Sequence, residues 1–451
     1  MRPTWTRPLG IACLAFLAAP AWSGTAAPDA GQQPRFAMSA HAHAYAHAAA
    51  PAREMVGYFT SWGIYARGYT ARSLASQGAL PRITTLNYAF GSVAPASADG
   101  SGPVGCRLGD AWADVERPWT AEESVDGTAV DDTQPLRGNF QQLRALKRLR
   151  PGLKVLVSLG GWNGSKWFSD AALTPASRSA FVKSCVDLFI RGRTGGETEG
   201  DGPAAGVFDG IDIDWEHVAA EAAPGNIVRP EDTANFTLLL QEFRRQLDAI
   251  DPALRLTIAA PAGPQNSAKI ELAAVAKTVD FINLMAYDLH VSPERRTNHQ
   301  AALAPSPRDP DRAKDLSVVE AVGRYLQAGV PRSKLVVGAP LYSQGWSGVN
   351  PAGNGLYQPA TGPAQGTYEA GVDDFKTVRA KPGFTRHRDA WSRAAWLFDG
   401  STFWTFDDEQ VVREKARTVR AAGLRGMMFW ELSGDGGELV RAAGEELSTG
   451  R

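Results

Sequence analysis

The most informative feature of the sequence is a row of three carboxylates in residues 208–216, which read FDGIDIDWE. Side chains in a β-strand alternate between two faces, so Asp212, Asp214 and Glu216 would project to one side and large apolar residues to the other. Successive carboxylates would lie about 6.6 Å apart along the backbone, close enough for each charge to disfavour the next. Unpaired carboxylates on an inner strand are costly, so the row predicts a functional site whose carboxyl groups have perturbed pKa values.

Length and composition restrict what kind of protein can carry this row. The chain has 451 residues, 44% of them hydrophobic, and a formal net charge of −1. It is long enough to bury a large core, and its charge shows no bias toward nucleic acid or anionic membranes. We therefore expect one large domain, a monomer with no nucleic-acid partner.

The N-terminus has the pattern of a secretory signal. Arg2 and Arg7 precede an apolar run over residues 9–21, and small residues follow it. The run is too short to span a bilayer stably. We predict a signal peptide over residues 1–23, a flexible leader over 24–52, and a protein that is secreted to the extracellular space or the periplasm without a membrane anchor.

Histidines and cysteines offer little evidence for a metal site. His41, His43 and His47 lie in the leader without carboxylate or cysteine partners nearby, so no metal site is predicted. Cys106 and Cys185 remain after the signal is removed. In an exported protein they can form one disulfide, although two separate buried thiols are an equally open alternative.

Short β-branched runs alternate with segments of helical spacing from residue 55 onward, which is typical of repeated βα units around a parallel sheet. Eight such runs predict a (β/α)8 TIM barrel within residues 53–451. The predicted strands cover residues 55–60, 83–90, 154–159, 207–215, 255–260, 281–287, 334–339 and 426–430. The clearest predicted helices cover residues 140–149, 177–191, 233–250, 318–328 and 408–422.

The connection between the seventh and eighth predicted strands is unusually long and rich in strand-like segments. We predict a small α+β insertion at about 342–406, which could form one wall of a groove. Barrel enzymes place their chemistry at the C-terminal ends of the strands, where the fourth predicted strand carries Asp214 and Glu216. Other polar and aromatic motifs follow the third, sixth and eighth strands at 158–162, 285–288 and 430–431.

These motifs, in this order, resemble those of glycoside hydrolase family 18, and within it the secreted bacterial chitinases that carry an α+β insertion. The most specific match is Asp209-x-x-Asp212-x-Asp214-x-Glu216. Ser158-x-Gly160-Gly161 and Met285-x-Tyr287-Asp288 are the second and third signatures, and the segments 56–59, 338–342 and 429–431 also match. The resemblance covers about residues 56–438.

The resemblance implies retaining hydrolysis of β-1,4 bonds next to N-acetylglucosamine, assisted by the substrate's own acetamido group and requiring no cofactor. Glu216 would be the general acid, with its pKa raised by the nearby Asp214. Asp214 would accept a hydrogen bond from the acetamido N–H, and Asp212 would share a proton or charge with it. Tyr287 would donate its hydroxyl to the acetamido oxygen.

Further residues are expected around this catalytic set, because sugar rings present apolar faces to aromatic side chains. Trp430 is the predicted floor of the reactive subsite, and Trp62 and Trp162 are predicted groove residues. The remaining expected substrate contacts are Tyr58, Met285 and Asp288, the expected supporting residues are Asp209 and Ser158, and further groove candidates are Tyr65, Trp167 and Trp346.

Three positions depart from the family pattern. His217 and Val218 follow Glu216 where an aromatic residue and proline are usual, so the loop leaving the fourth strand must run differently. Gln344 stands where relatives commonly have arginine, which removes a charged contact from the groove. The segment after Asp288 lacks the aromatic residue that often lines the product side. These changes concern the subsites and leave the catalytic set intact.

The resulting hypothesis is a chitinase that binds chitin or N-acetylglucosamine oligosaccharides. One alternative is an endo-β-N-acetylglucosaminidase or another hydrolase of the same family, since the same acetamido chemistry serves all of them. A long aromatic cleft would favour chitin, and a short wide pocket would favour branched glycans. A non-hydrolytic chitin-binding lectin is a further alternative, although such family members typically lose the acid.

Overall fold

The structure is a computed structural model and describes residues 53–449. The predicted signal peptide and leader lie outside the described residues. The strands are β1 (Glu54–Thr60), β2 (Thr85–Pro95), β3 (Val104–Arg107), β4 (Lys154–Gly160), β5 (Gly210–Asp214), β6 (Arg255–Pro261), β7 (Phe281–Met285), β8 (Leu335–Pro340), β9 (Tyr342–Ser347), β10 (Gly362–Pro363), β11 (Val372–Asp374), β12 (Thr385–Asp389), β13 (Ala394–Phe398), β14 (Phe403–Phe406) and β15 (Gly426–Trp430). The α-helices are α1 (Ala71–Ser76), α2 (Gly138–Leu149), α3 (Phe168–Ala172), α4 (Pro175–Cys185), α5 (Asp232–Asp248), α6 (Pro264–Ser267), α7 (Leu272–Thr278), α8 (Val318–Gln327), α9 (Phe375–Val378), α10 (Glu409–Ala421) and α11 (Glu438–Ser448).

Within residues 53–449, eight parallel strands close into a barrel. Their order is β1, β2, β4, β5, β6, β7, β8 and β15, and β1 pairs with both β2 and β15. The predicted (β/α)8 barrel is therefore confirmed. The fourth barrel strand is shorter than predicted, because β5 covers only Gly210–Asp214 and Glu216 lies just beyond its end. This position at the C-terminal mouth gives the Glu216 side chain access to the cleft.

The long helices form where the sequence predicted them, because each has an apolar stripe that packs against the barrel. In α10, Val412, Ala416 and Val419 are buried at helical spacing. The helix begins after Asp408, whose side chain accepts a hydrogen bond from the Val411 N–H. α10 also carries Lys415, which is fully buried and forms an ion pair with the buried Asp407.

A hairpin that the sequence analysis did not predict extends β2 beyond the barrel. The end of β2 pairs antiparallel with β3, which carries Cys106. A disulfide joins Cys106 to Cys185 at the end of α4. This bridge fastens the hairpin to the outer helical layer and decides between the two alternatives left open for the cysteines.

A second sheet lies between β8 and β15 along the chain, at the place predicted for the insertion. In the described residues it contains six strands in the order β10, β9, β14, β13 and β12, with β11 also on β9. Its core contains Trp346, Trp396 and Phe403. Trp346 is 0% exposed, so its predicted place in the groove is wrong. The chain enters the sheet on β9 and leaves it from β14. These two strands are neighbours, because Ser343 in β9 pairs with Phe406 in β14.

None of the helices in residues 53–449 combines the length and the apolar character needed to cross a membrane.

Candidate active site

The site is built on β5, whose alternation separates acidic from apolar side chains. Ile211 and Ile213 are fully buried, and Trp215 stacks on Phe168 at a centroid distance of 5.3 Å. The opposite side of the strand carries the carboxylates, at the C-terminal end of the barrel. The local pattern of the sequence therefore delivers the acidic row to one face, as the period of two requires.

Asp212 is fully buried and held by donors from four other strands. Its Oδ2 accepts hydrogen bonds from the Tyr58 hydroxyl at 2.7 Å and the Ser158 hydroxyl at 2.8 Å. Its Oδ1 accepts hydrogen bonds from the Thr257 hydroxyl and from the Asn283 amide, the latter at 3.3 Å. Burial raises the pKa of Asp212, although these donors stabilise the ionised form and oppose the shift.

Tyr58, a predicted substrate contact, lies inside the barrel. Its side chain is 1% exposed and its hydroxyl donates to Asp212, so it supports that carboxylate. Ser158 has the expected position beside Asp212. Tyr58 belongs to a buried apolar cluster that also contains Val56 and Met428.

Asp214 is the middle carboxylate and carries an unused acceptor. Its Oδ1 atom is buried and receives no hydrogen bond from any group in residues 53–449. Burial raises the pKa of Asp214 well above its ordinary value, and the charges of Glu216 and Asp212 raise it further. An unpaired buried acceptor of this kind is suited to receive a donor from a bound ligand.

Glu216 is the outermost member of the row and lies partly open to the cleft, with 17% of its side chain exposed. Burial raises the pKa of Glu216 to about 7, and the charge of Asp288 contributes in the same direction. Asp214, to which this shift was assigned from the sequence, repels Glu216 as well, since the charge of Glu216 raises the pKa of Asp214, but burial is the largest cause at Glu216. The backbone N–H of Glu216 donates to the Ser165 hydroxyl at 2.8 Å, and its carbonyl accepts from the Asn226 amide at 3.0 Å.

His217 follows Glu216 and fills part of the loop at the end of β5. Its Nε2 lies 3.9 Å from Glu216 Oε2, and its ring meets the edge of Trp162 at 6.2 Å. Burial lowers the pKa of His217 to about 4, so the imidazole is neutral where Glu216 titrates. His217 therefore adds no positive charge beside the acid near neutral pH.

Two glycines of the Ser158-x-Gly160-Gly161 motif are required by close packing. Gly160 has φ +107°, and a Cβ there would lie 2.3 Å from the Asp214 carbonyl oxygen. Gly161 has φ +74°, and a Cβ there would lie 2.6 Å from the Phe90 ring. The motif thus allows the end of β4 to approach β5 and the aromatic floor.

The sixth barrel strand, β7, delivers the Met285-x-Tyr287-Asp288 group to the same end of the barrel. Met285 and Tyr287 are partly buried and pack in the apolar cluster at the barrel mouth, together with Trp430. The Tyr287 hydroxyl contacts Met428 Sδ at 3.8 Å. Burial raises the pKa of Tyr287 well above its ordinary value, and the charges of Asp214 and Glu216 raise it further. The Asp288 side chain is exposed to the cleft and accepts a hydrogen bond from Gln344.

Aromatic side chains continue from the carboxylates into the cleft. Trp430 ends β15, meets the Tyr58 ring at 5.2 Å and stacks on Phe90 at 5.6 Å. Trp62 follows β1, stacks on the same Phe90 at 6.0 Å and is 36% exposed. Trp162 follows β4 and is 44% exposed. Exposed rings at the ends of several strands form apolar platforms of the kind that bind sugar rings.

Other residues around the site were not found from the sequence or lie elsewhere. Thr257 and Asn283 are inward-facing polar residues within apolar runs, a signal that the period of two could have shown. Ser165 and Asn226 lie in loops, where no such signal exists. Asp209 lies at the opposite end of the barrel, where its carboxylate accepts from the Val155 N–H and pairs with Lys147. In the described part of the chain, no group of three or more His, Cys, Asp or Glu side chains could hold a metal ion.

Comparison with known families agrees with this geometry. The family model for glycosyl hydrolases family 18 matches residues 54–435, which include all eight barrel strands and the second sheet. The chain belongs to this family.

Similar proteins are found among curated sequences and solved structures. Chitinase A1 of Niallia circulans is 36% identical over 428 residues, covering 86% of this chain and 57% of the relative. Chitinase C of Streptomyces lividans is 35% identical over 389 residues, covering 84% of this chain and 57% of the relative. The chain thus spans less than two thirds of the length of each of these relatives.

The solved catalytic domain of psychrophilic chitinase B from Arthrobacter TAD20 has a TM-score of 0.81 and 40% identity, covering 88% of this chain and 95% of that one. The group IV chitinase of Ostrinia furnacalis, solved in complex with allosamidin, has a TM-score of 0.73 and 25% identity, covering 88% of this chain and 99% of that one.

Proposed function

We propose that this protein is a chitinase, which hydrolyses β-1,4 bonds between N-acetylglucosamine units with retention of configuration. The observation that carries the proposal is the row Asp212, Asp214 and Glu216, in which a carboxyl whose pKa is raised to about 7 meets the cleft and a buried acceptor lies behind it. Membership of family 18 and the names of the similar proteins support the same reaction.

The residues divide the proposed reaction between them. Glu216 holds a proton near neutral pH and gives it to the leaving glycosidic oxygen as the bond to the anomeric carbon breaks. The carbonyl oxygen of the substrate's acetamido group attacks that carbon, while Asp214 accepts the acetamido N–H on its free Oδ1. Water then opens the cyclic intermediate, and Glu216 takes a proton from it, which restores the acid.

Asp212 supports this reaction without meeting the substrate. Four donors stabilise its negative charge inside the barrel, so the proton shared within the row lies on the Asp214 side. The negative charge of Asp212 disfavours ionisation of Asp214 and Glu216. When the oxazolinium ion forms, the same charge stabilises the positive charge of that ion. Tyr287 lies at the same end of the barrel with a hydroxyl available for the acetamido oxygen.

The cleft favours a linear chain over a branched glycan. Trp430 forms a floor at the carboxylates, and the exposed Trp62 and Trp162 continue the apolar surface away from it. Each ring offers one face to one sugar. A linear polymer of N-acetylglucosamine can use several such platforms at once.

We also infer that the protein is exported. The Cys106–Cys185 disulfide is typical of oxidising compartments outside the cytosol. The signal-like pattern of residues 1–23 points to the same route.

The test is product analysis of the purified protein on N-acetylglucosamine oligomers of four to six units. We expect release of disaccharide with the β-configuration retained. Nuclear magnetic resonance spectra, recorded before the product mutarotates, measure this configuration. Glu216→Gln is the matched control, and its turnover should fall at least about 100-fold while oligomer binding and the unfolding temperature stay near wild type. Near-wild-type turnover in this variant would refute the role of Glu216. Binding without hydrolysis by the wild type would indicate a lectin, and hydrolysis of branched glycans alone would indicate the other family activity.

A further inference from the structure

Glu216 lies beyond the hydrogen-bond ladders that hold β5. Within residues 53–449, the ladder with β4 ends at the pair Gly160 and Asp214, and the ladder with β6 ends at the pair Ile213 and Ile258. The proposed acid is therefore carried on main chain that the barrel sheet does not pair. A general acid must lie within hydrogen-bond reach of the atom that it protonates, so another part of the molecule has to fix this segment.

Two side chains from neighbouring loops hold the main chain of Glu216. The Glu216 N–H donates to the Ser165 hydroxyl at 2.8 Å, and the Glu216 carbonyl oxygen accepts from the Asn226 amide at 3.0 Å. Ser165 belongs to the loop after β4, and Asn226 belongs to the loop after β5. These two side chains satisfy both main-chain polar groups of Glu216, as the ladders do for residues within β5.

Ser165 is the more rigid of the two supports, because its hydroxyl is fixed on its other side as well. It donates to the Gly161 carbonyl oxygen at 2.9 Å, and the Asp214 carbonyl oxygen lies at 3.2 Å as a second acceptor. Ser165 is 0% exposed, so solvent water does not compete for these bonds. The hydroxyl therefore links the end of β4 to the main chain on both sides of residue 215.

We propose that Ser165 is a positioning residue, which together with Asn226 fixes the main chain of Glu216 so that its carboxyl meets the glycosidic oxygen. The inference rests on the proposed function, in which Glu216 gives a proton to that oxygen.

The loop that carries Trp162 does not depend on the Ser165 hydroxyl alone. The Gly161 N–H donates to the Asp214 carbonyl oxygen at 2.8 Å, and the Gly164 N–H donates to the Gly161 carbonyl oxygen at 3.1 Å. Loss of the hydroxyl therefore moves the acid more than it moves this ring of the cleft. The effect should fall on kcat and leave KM nearly unchanged.

The test compares kcat and KM of the wild type, Ser165→Ala and Ser165→Thr on the same oligomers. Ser165→Ala should lower kcat at least about tenfold and change KM by less than about twofold, because the placement of the acid is lost while the sugar platforms remain. Ser165→Thr keeps the hydroxyl, so its kcat should stay within about threefold of the wild-type value.

Ser184→Ala is the matched control, because Ser184 makes the same kind of bonds on the outer helical layer. Its hydroxyl donates to the Phe181 carbonyl oxygen at 2.6 Å and accepts from the Cys106 N–H at 2.9 Å. This variant should lose a similar amount of stability, measured as the unfolding temperature, while its kcat stays at the wild-type value.

A kcat of folded Ser165→Ala equal to that of Ser184→Ala would overturn the proposal. Equal losses of kcat in Ser165→Ala and Ser165→Thr would also overturn it, since the hydroxyl would then have no role. If Ser165→Ala does not fold, Asn226→Ala replaces it, because Asn226 is partly exposed and its loss should again lower kcat. An unchanged kcat in that variant would overturn the proposal. Absence of any hydrolysis by the wild type would instead refute the proposed function, so the two failures are distinguishable.

Discussion

The charge of Asp288 adds to burial in raising the pKa of Glu216. Glu216 acts when protonated, so activity should fall as the pH rises through its pKa of about 7. Asp288→Asn removes a negative charge, which lowers the pKa of Glu216 and should move the alkaline limb to lower pH. The asparagine oxygen still accepts from Gln344, so the loop remains held.

The measurement is the pH profile of kcat/KM for the wild type and Asp288→Asn. Asp132→Asn is the matched control, because Asp132 is almost fully exposed and its loss of charge should not move the limb. An unmoved limb in Asp288→Asn would show that its charge does not reach Glu216.

Single residues differ in how far the sequence could reveal them. The acidic row was predictable, because strand alternation alone places Asp212, Asp214 and Glu216 on one side. The support of Asp212 by Tyr58 and Asn283 was not, because those residues join it only when β1 and β7 close the barrel. The burial that raises the pKa of Glu216 was not predictable either, since desolvation depends on residues that are distant in the chain.

At the scale of elements, α10 contains a buried charge whose removal should be costly. Lys415 and Asp407 are both inaccessible to water and form an ion pair. Lys415→Met leaves the Asp407 carboxylate buried without its partner, so the free energy of unfolding should fall by about 3–5 kcal/mol. Urea denaturation measures this change.

Lys277→Met is the matched control, because Lys277 is exposed on α7 and the same replacement there should be nearly neutral. The double variant Lys415→Met with Asp407→Asn should recover part of the loss, since it removes the unpaired charge. A stability of Lys415→Met equal to that of Lys277→Met would show that the pair is not required.

Elements with a strong apolar period were predicted well, and irregular ones were not. The helical spacing in 408–422 and the alternation in 154–159 identified α10 and β4 almost to their ends. The extension of β2 into a hairpin with β3 was missed, because four partly exposed residues carry no clear period. Trp346 was placed in the groove by its position after a strand, whereas the second sheet buries it in a core of its own.

At the scale of the whole molecule, the disulfide restrains a long stretch of chain. Cys106 and Cys185 are 79 residues apart, so the bridge removes considerable freedom from the unfolded state. The double replacement by alanine should lower the free energy of unfolding by about 2–4 kcal/mol. Urea midpoints of the wild type and the variant test this, with the reduced wild type as the matched control. Identical midpoints for the oxidised wild type and the variant would contradict the expectation.

The second sheet begins and ends at almost the same place, since Ser343 and Phe406 are paired across neighbouring strands. The chain therefore leaves the barrel and returns to it within roughly 5 Å, one strand spacing. The length of the segment between these two residues therefore does not change the point from which the chain continues toward β15, the eighth barrel strand. Evolution can therefore lengthen, shorten or replace the second sheet while β5 and the acid that follows it stay unchanged.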